Sequence, residues 1–211
     1  MRQILCFGDS NTWGLVPKEH RRFQWGERWT SILQEKLGND YRVVEEGLCG
    51  RTTIFEDELR VGRRGADLLP VLLESHIPDT VVLMLGTNDC KKVYNASAEI
   101  IGKGIELLLD QIEYSAKKCS KEIEVLLIAP IRLGENVGEE GFDPEFDQNS
   151  VETSIRLSKV YGEIAERRNL KFLSAAEVAL PSEVDREHLD REGHIKLAEA
   201  VYEALINEKT F

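Results

Sequence analysis

The sequence predicts an α/β fold: a doubly wound, three-layer sandwich with a five-stranded parallel sheet, helices on both faces, and one domain over residues 1–211. Three observations carry that expectation. Five stretches are apolar and β-branched almost without interruption, as strands buried on both faces are. Segments with helical apolar spacing lie between them, the pattern of a parallel sheet wrapped by its crossover helices. A chain of 211 residues, 42% apolar and 31% charged, is also long enough for one substantial core. At this size roughly 70% of the unfolded surface can be buried.

The first strand is Ile4–Phe7, and it runs straight into Gly8-Asp9-Ser10-Asn11-Thr12. The second, Tyr41–Glu46, is followed by Gly47-Leu48-Cys49-Gly50, and the third, Thr80–Leu85, by Gly86-Thr87-Asn88-Asp89. Ile101, Ile105, Leu108, Leu109 and Ile112 then recur at helical steps behind Ser97, a good N-cap. The fourth strand, Ile123–Ala129, ends at Pro130, and Arg132 to Asn149 is long, irregular and rich in Gly and acid. Loops of that length inside compact domains tend to be functional. Ligands of open parallel sheets sit beyond the strands' carboxyl ends, so this loop is expected to border the site. The bland alternative is a mobile surface insertion. Leu157, Val160, Tyr161 and Ile164 mark the next helix, and Lys171–Leu173 a short fifth strand. Ile195, Ala198, Tyr202 and Leu205 mark a last helix behind Asp190 as N-cap.

Charge and cysteine content narrow the function. The formal net charge is −11, and the basic runs His20-Arg21-Arg22 and Arg63-Arg64 are short, which argues against nucleic-acid binding. No apolar run approaches the roughly 18–20 residues of a membrane span, so no membrane partner is expected. A strand-like run beginning at Arg2 leaves no room for a cleavable leader. Cys6, Cys49, Cys90 and Cys119 have no CxxC spacing and read as free thiols, which predicts a cytoplasmic protein. GxGxxG and GxxxxGK[ST] are both absent, and so is GxSxG, because Thr12 stands where its second glycine would be.

Four short blocks lie at expected strand ends. A glycine after a strand permits the tight turn that would lift Ser10 to the sheet's edge, although Gly-Asp-Ser is also ordinary turn chemistry. A nucleophilic serine needs a base, and that base a carboxylate to fix its tautomer. Asp185-Arg186-Glu187-His188 can supply both within one turn, or be no more than an acidic turn before the last helix. An Asn amide at a strand's end, as at Asn88, can donate to a developing oxyanion or close a turn. His194 competes with His188 but has no Asp three residues before it, so it reads as a surface or supporting residue. His20 and His76 read as structural. The six-residue step between His188 and His194 matches no metal motif, so no metal is assigned. Asp9 is expected to bind turn backbone. Trp13, Phe23, Trp25 and Trp29 suit an acyl pocket and the core equally well.

In order and together, Gly8-Asp9-Ser10, a Gly after the second strand, Gly86-Thr87-Asn88-Asp89 and Asp185-x-x-His188 resemble the four blocks of the SGNH (GDSL-type) hydrolases. Thr12-Trp13-Gly14, Arg28-Trp29, Glu45-Glu46-Gly47-Leu48 and Arg51-Thr52-Thr53 are similar to the bacterial arylesterase/perhydrolase branch. The resemblance implies the flavodoxin-like fold of that superfamily. It also implies Ser10 as nucleophile, His188 as base and Asp185 as its orienter. The oxyanion hole would be the N–H groups of Ser10 and Gly50 with the Asn88 side chain, Gly50 being preferred to Gly47 because it lies two positions before Thr52. No cofactor is implied. The expected function is hydrolysis of small carboxylic esters, with perhydrolysis or acyl transfer as side reactions. Two alternatives stand beside it: sugar O-deacetylation, and a non-catalytic small-molecule-binding protein on the same fold. The sequence leaves a homo-oligomer open.

Overall fold

The computed structural model describes residues 1–206. Five strands form one sheet: β1 (Arg2–Gly8), β2 (Tyr41–Gly47), β3 (Thr80–Met84), β4 (Glu124–Ala129) and β5 (Lys171–Ser174). Every pairing is parallel and the spatial order is β2-β1-β3-β4-β5, so the chain winds outward in both directions from β1. The expected strands stand where the apolar runs lie, each displaced by one or two residues at an end.

Alternation along a strand decides which layer each residue joins. Leu5, Phe7, Val81, Leu83 and Leu127 point to one face. There they meet α3 (Gly65–His76), α4 (Ala98–Lys118) and α5 (Gln148–Arg168). Ile4, Cys6, Val82, Met84, Leu126 and Ile128 point to the other face, against α2 (Trp29–Leu37) and α6 (Arg191–Ile206). Both faces are covered, which is why the central strands are apolar through their middles.

Helix α4 starts as expected, with Ser97 accepting from the Ile100 N–H. Helix α5 begins earlier than the loop reading allowed, because Asp147 and Ser150 form a reciprocal capping box. Asp190 accepts from the Gly193 N–H at 2.8 Å and heads α6. Two helices depart from simple periodicity. In α3 the apolar run is continuous and contains Pro70, which cannot donate to the Ala66 carbonyl; the Gln111 side chain of α4 donates to it instead, at 2.8 Å. In α6 the buried stripe is Gly193, His194, Leu197, Ala198 and Val201, so Ile195 faces outward, contrary to expectation. The other expected positions, Ala198, Tyr202 and Leu205, do lie in or against the core.

Candidate active site

Strand β1 ends at Gly8, and Asp9 caps a single helical turn, α1 (Ser10–Trp13), by accepting the Asn11 N–H at 2.9 Å. This is the backbone role expected of Asp9, whose carboxyl burial pushes up against the hydrogen bond from Asn11 and the charge of His188. The turn sets Ser10 at the carboxyl edge of the sheet. Far along the chain, the segment between β5 and α6 returns to the same edge. Arg186 adopts φ +63°, a strained conformation for a residue with a Cβ. That bend lets Asp185 Oδ1 accept both the Glu187 and the His188 N–H, at 3.1 and 3.0 Å.

Three of the expected residues thereby line up. His188 Nδ1 lies 2.8 Å from Asp185 Oδ2, and His188 Nε2 lies 2.9 Å from Ser10 Oγ. All three residues are buried. Burial raises the Asp185 carboxyl, but the hydrogen bond and charge of His188 and the two backbone N–H groups outweigh it and hold the group below the usual carboxylate range. The imidazole therefore faces an ionised partner on one side and a hydroxyl on the other. That geometry lets a proton leave Ser10 as its oxygen attacks.

The other two blocks interlock beside it. Asn88 Nδ2 donates to the Arg51 carbonyl at 3.1 Å, and Asp89 accepts the Thr53 N–H at 2.9 and 3.1 Å. Strand end β3 thus holds the loop that follows β2. Burial raises the Asp89 carboxyl to about 7 against those hydrogen bonds. The Arg51 guanidinium donates to the carbonyls of Gly8 (2.9 Å) and Glu46, joining the ends of β1 and β2. The two glycines in question have different surroundings. A Cβ on Gly47 would fall 2.1 Å from the Trp13 nitrogen, so Gly47 is needed for the close approach of α1 to β2. Gly50 adopts φ +81° in the turn beyond it, with the Arg60 guanidinium against its Cα.

The loop after β4 borders this edge, as expected, and it is packed rather than free: Leu133, Val137 and Phe146 are buried. Gly134 donates to the Arg186 carbonyl at 2.7 Å, and Arg186 returns a bond to the Glu135 carbonyl at 2.9 Å. Its guanidinium lies 4.0 Å from the centre of the Phe142 ring. The loop clamps the strained turn that carries His188.

His194 is not a surface residue. It is fully buried, accepts the Trp29 N–H at Nδ1 (3.3 Å) and meets Phe23 edge-on. Burial, and then the positive charges of His188 and Arg28, push it down to about 3, so it stays neutral in the core. The four aromatics do not form one pocket. Trp29 is core and donates from Nε1 to the Asn11 carbonyl at 3.1 Å, Phe23 packs on His194, and Trp25 is more than half exposed. Cys90 is buried, its thiol donating to the Gly86 carbonyl, and burial raises the partly exposed Cys49 to about 11, so neither is a ready thiolate. Among the described residues no group of three or more His, Cys, Asp or Glu gathers as a metal centre would require.

Two residues near the line had no sequence signal. Asn11 Oδ1 accepts the Leu189 N–H at 2.8 Å and its Nδ2 approaches the Glu187 carbonyl at 3.4 Å, so it grips the backbone on both sides of His188. Glu187 carries a buried carboxylate whose Oε1 lies 3.6 Å from His188 Nε2.

The model of the GDSL-like Lipase/Acylhydrolase family matches residues 6–204. The chain belongs to this family, and with it to the carboxylic ester hydrolases. Among solved structures it is similar to the aryl esterase of M. smegmatis, at 34% identity over 97% of this chain and 98% of that one, with a TM-score of 0.91. It is also similar to a carbohydrate acetylesterase of Sinorhizobium meliloti, at 32% identity, 97% and 98% coverage and a TM-score of 0.91. A carbohydrate acetylesterase family member from the same organism has 34% identity, 97% and 99% coverage and a TM-score of 0.86. No curated protein sequence matches. The resemblance read from the four blocks, and the fold it implied, are thus met.

Proposed function

We propose that this GDSL-family hydrolase is a single-domain serine esterase that cleaves small carboxylic esters through an acyl-enzyme. Ser10 Oγ attacks the ester carbonyl while His188 Nε2 takes its proton, and Asp185 holds the imidazolium. The Ser10 and Gly50 N–H groups and the Asn88 amide hold the tetrahedral oxyanion. Collapse expels the alcohol, protonated by His188, and leaves an acyl-serine. Water, deprotonated by His188, then releases the acid. Peroxide or an alcohol in place of water gives a peracid or a new ester. No cofactor is needed for these steps.

The observation that carries the proposal is the 2.9 and 2.8 Å line from Ser10 through His188 to Asp185. Sugar O-deacetylation is kept as a second reading because two similar structures are carbohydrate acetylesterases. A cytoplasmic location is supported by four cysteines that are all free, and no described helix is long and apolar enough to cross a membrane.

The test is labelling by a fluorophosphonate together with hydrolysis of a chromogenic acetate. Ser10→Ala should lose both, and His188→Ala should fall to a similar residual rate, because nucleophile and base act as a unit. His194→Ala should keep labelling. Labelling that survives Ser10→Ala would sink the assignment. A panel of aryl acetates and acetylated sugars separates the two substrate readings by kcat/KM.

A further inference from the structure

The turn that presents His188 also carries a buried carboxylate for which the ester chemistry above has no task. Glu187 has 8% of its side chain exposed, and Oε1 stands 3.6 Å from His188 Nε2, the nitrogen that faces Ser10. Among the described residues no hydrogen-bond donor reaches this carboxylate; only its backbone is engaged, with Asp185 and Asn11. A carboxylate is costly to bury without a partner. The ammonium of Lys91, the other cation acting on it, is taken by Glu145. The remaining cation is the imidazolium of His188.

We propose that Glu187 is a positioning residue for the reaction: a second carboxylate that holds the His188 imidazolium from its Nε2 side. This rests on the reading of His188 as the base. Neutral His188 keeps its proton on Nδ1, toward Asp185, and offers the Nε2 lone pair to Ser10. When Nε2 takes the serine proton, the positive charge forms between two carboxylates instead of beside one. The same attraction acts before substrate arrives. It stabilises the resting imidazolium, whose Nε2 has no lone pair for Ser10, and the base becomes free only at higher pH.

The groups facing the pair agree in direction. Burial disfavours the imidazolium, but Glu187, then Asp185 by hydrogen bond and charge, and Asp9 outweigh it and raise His188 to about 9. Burial also raises Glu187, to about 7, where His188 and Lys91 favour its charge and Asp143 and Asp185 oppose it. Cys49 faces Glu187 as a neutral thiol, Arg51 and Thr87 face Asp9, and His194 is neutral. The contact thus favours carboxylate and imidazolium together, and rising pH frees the base.

The experiment compares wild type with Glu187→Gln and Glu187→Leu from about pH 5 to pH 10, the span over which such a pair titrates. Two rates are followed: kcat/KM for a neutral acetate ester, and labelling of Ser10 by a neutral fluorophosphonate, which needs the base but not the physiological ester. The midpoint of the acid limb should fall by a full pH unit or more in both variants, a tenfold gain in the base-free fraction near neutrality. An unchanged midpoint in variants that melt like wild type would overturn the proposal. Should the variants not fold, the His188 ring of the wild-type protein can be titrated by NMR, its signal assigned from a His188→Gln spectrum. The same titration in Asp185→Asn leaves Glu187 as the adjoining carboxylate: a midpoint still well above that of an ordinary imidazole would support the proposal, and one at or below the ordinary value would overturn it. Failure of Ser10 to label at any pH would count against the esterase reading, and the ring titration would still decide the hold of Glu187.

Discussion

Asn11→Ala tests whether the placement of His188 is a property of the turn alone or of its tether to the nucleophile's own helix. The side-chain oxygen of Asn11 accepts the Leu189 N–H at 2.8 Å, and its amide meets the Glu187 carbonyl at 3.4 Å, a long contact that contributes little. Removing the side chain leaves one buried N–H without a partner, at a cost of about 1–3 kcal/mol. In a chain of this size each kcal/mol moves Tm by about 2–4 °C, so melting should fall by roughly 2–12 °C. The larger effect should be on rate. The lost bond lies one residue from the imidazole, and a displacement near 1 Å can cost about 10²-fold. We expect kcat on a chromogenic acetate to fall roughly 10- to 100-fold with KM nearly unchanged, because Asn11 is buried against protein and not aimed at substrate. Asn11→Asp, which keeps the acceptor for Leu189, should recover most of the stability. Calorimetry and steady-state kinetics on the same samples decide the matter. A lowered Tm with an unchanged kcat would refute the tether as a positioning device.

Asn88→Ala should lower kcat by about 10²–10³ with little change in KM, as for the loss of one preorganised oxyanion donor; a large KM rise at constant kcat would make Asn88 a ground-state contact instead. His194 predicts a stability effect with a definite sign. Its folded value of about 3 lies below the ordinary 6.5, so the unfolded chain takes the proton first as pH falls. The stability tied to neutral His194 is therefore whole above 6.5 and is lost progressively down toward 3. His194→Asn, which can still accept the Trp29 N–H, should flatten the decline of Tm across that window; parallel Tm–pH curves for variant and wild type would contradict it.

Much of the architecture was legible because one physical signal recurs. Strand segments buried on both faces are apolar in succession, as residues 4–7 of β1, 81–84 of β3 and 126–129 of β4 are, so they stood out from composition alone. What escaped was set by tertiary compensation. The run in α3 has no clean period and contains Pro70, and only the Gln111 side chain from α4 makes the proline tolerable. In helix α6 the expected Ala198, Tyr202 and Leu205 lie in or against the core but Ile195 faces outward, and the position beside it belongs to His194, which counts as polar in any periodicity yet is neutral, fully buried and bonded to Trp29.

The candidate site divides along the same line. Ser10, Asp185, His188 and Asn88 stood out as candidates because four blocks in order resemble a family pattern, although residue type alone did not separate Asp185 from Glu187 as a carboxylate in the same turn. Gly47 and Gly50 could not be separated by type. Their difference lies in conformation and contact: one makes room for the Trp13 backbone, the other turns through φ +81°. Glu187 and Asn11 are harder still, since each looks like filler between two blocks. Where Glu187 points depends on the strained φ of Arg186, and that strain persists because Gly134, Glu135 and Phe142 hold Arg186 from the loop after β4. The long acidic loop thus reaches the chemistry indirectly, by fixing the turn that sets His188 between Asp185 and Glu187.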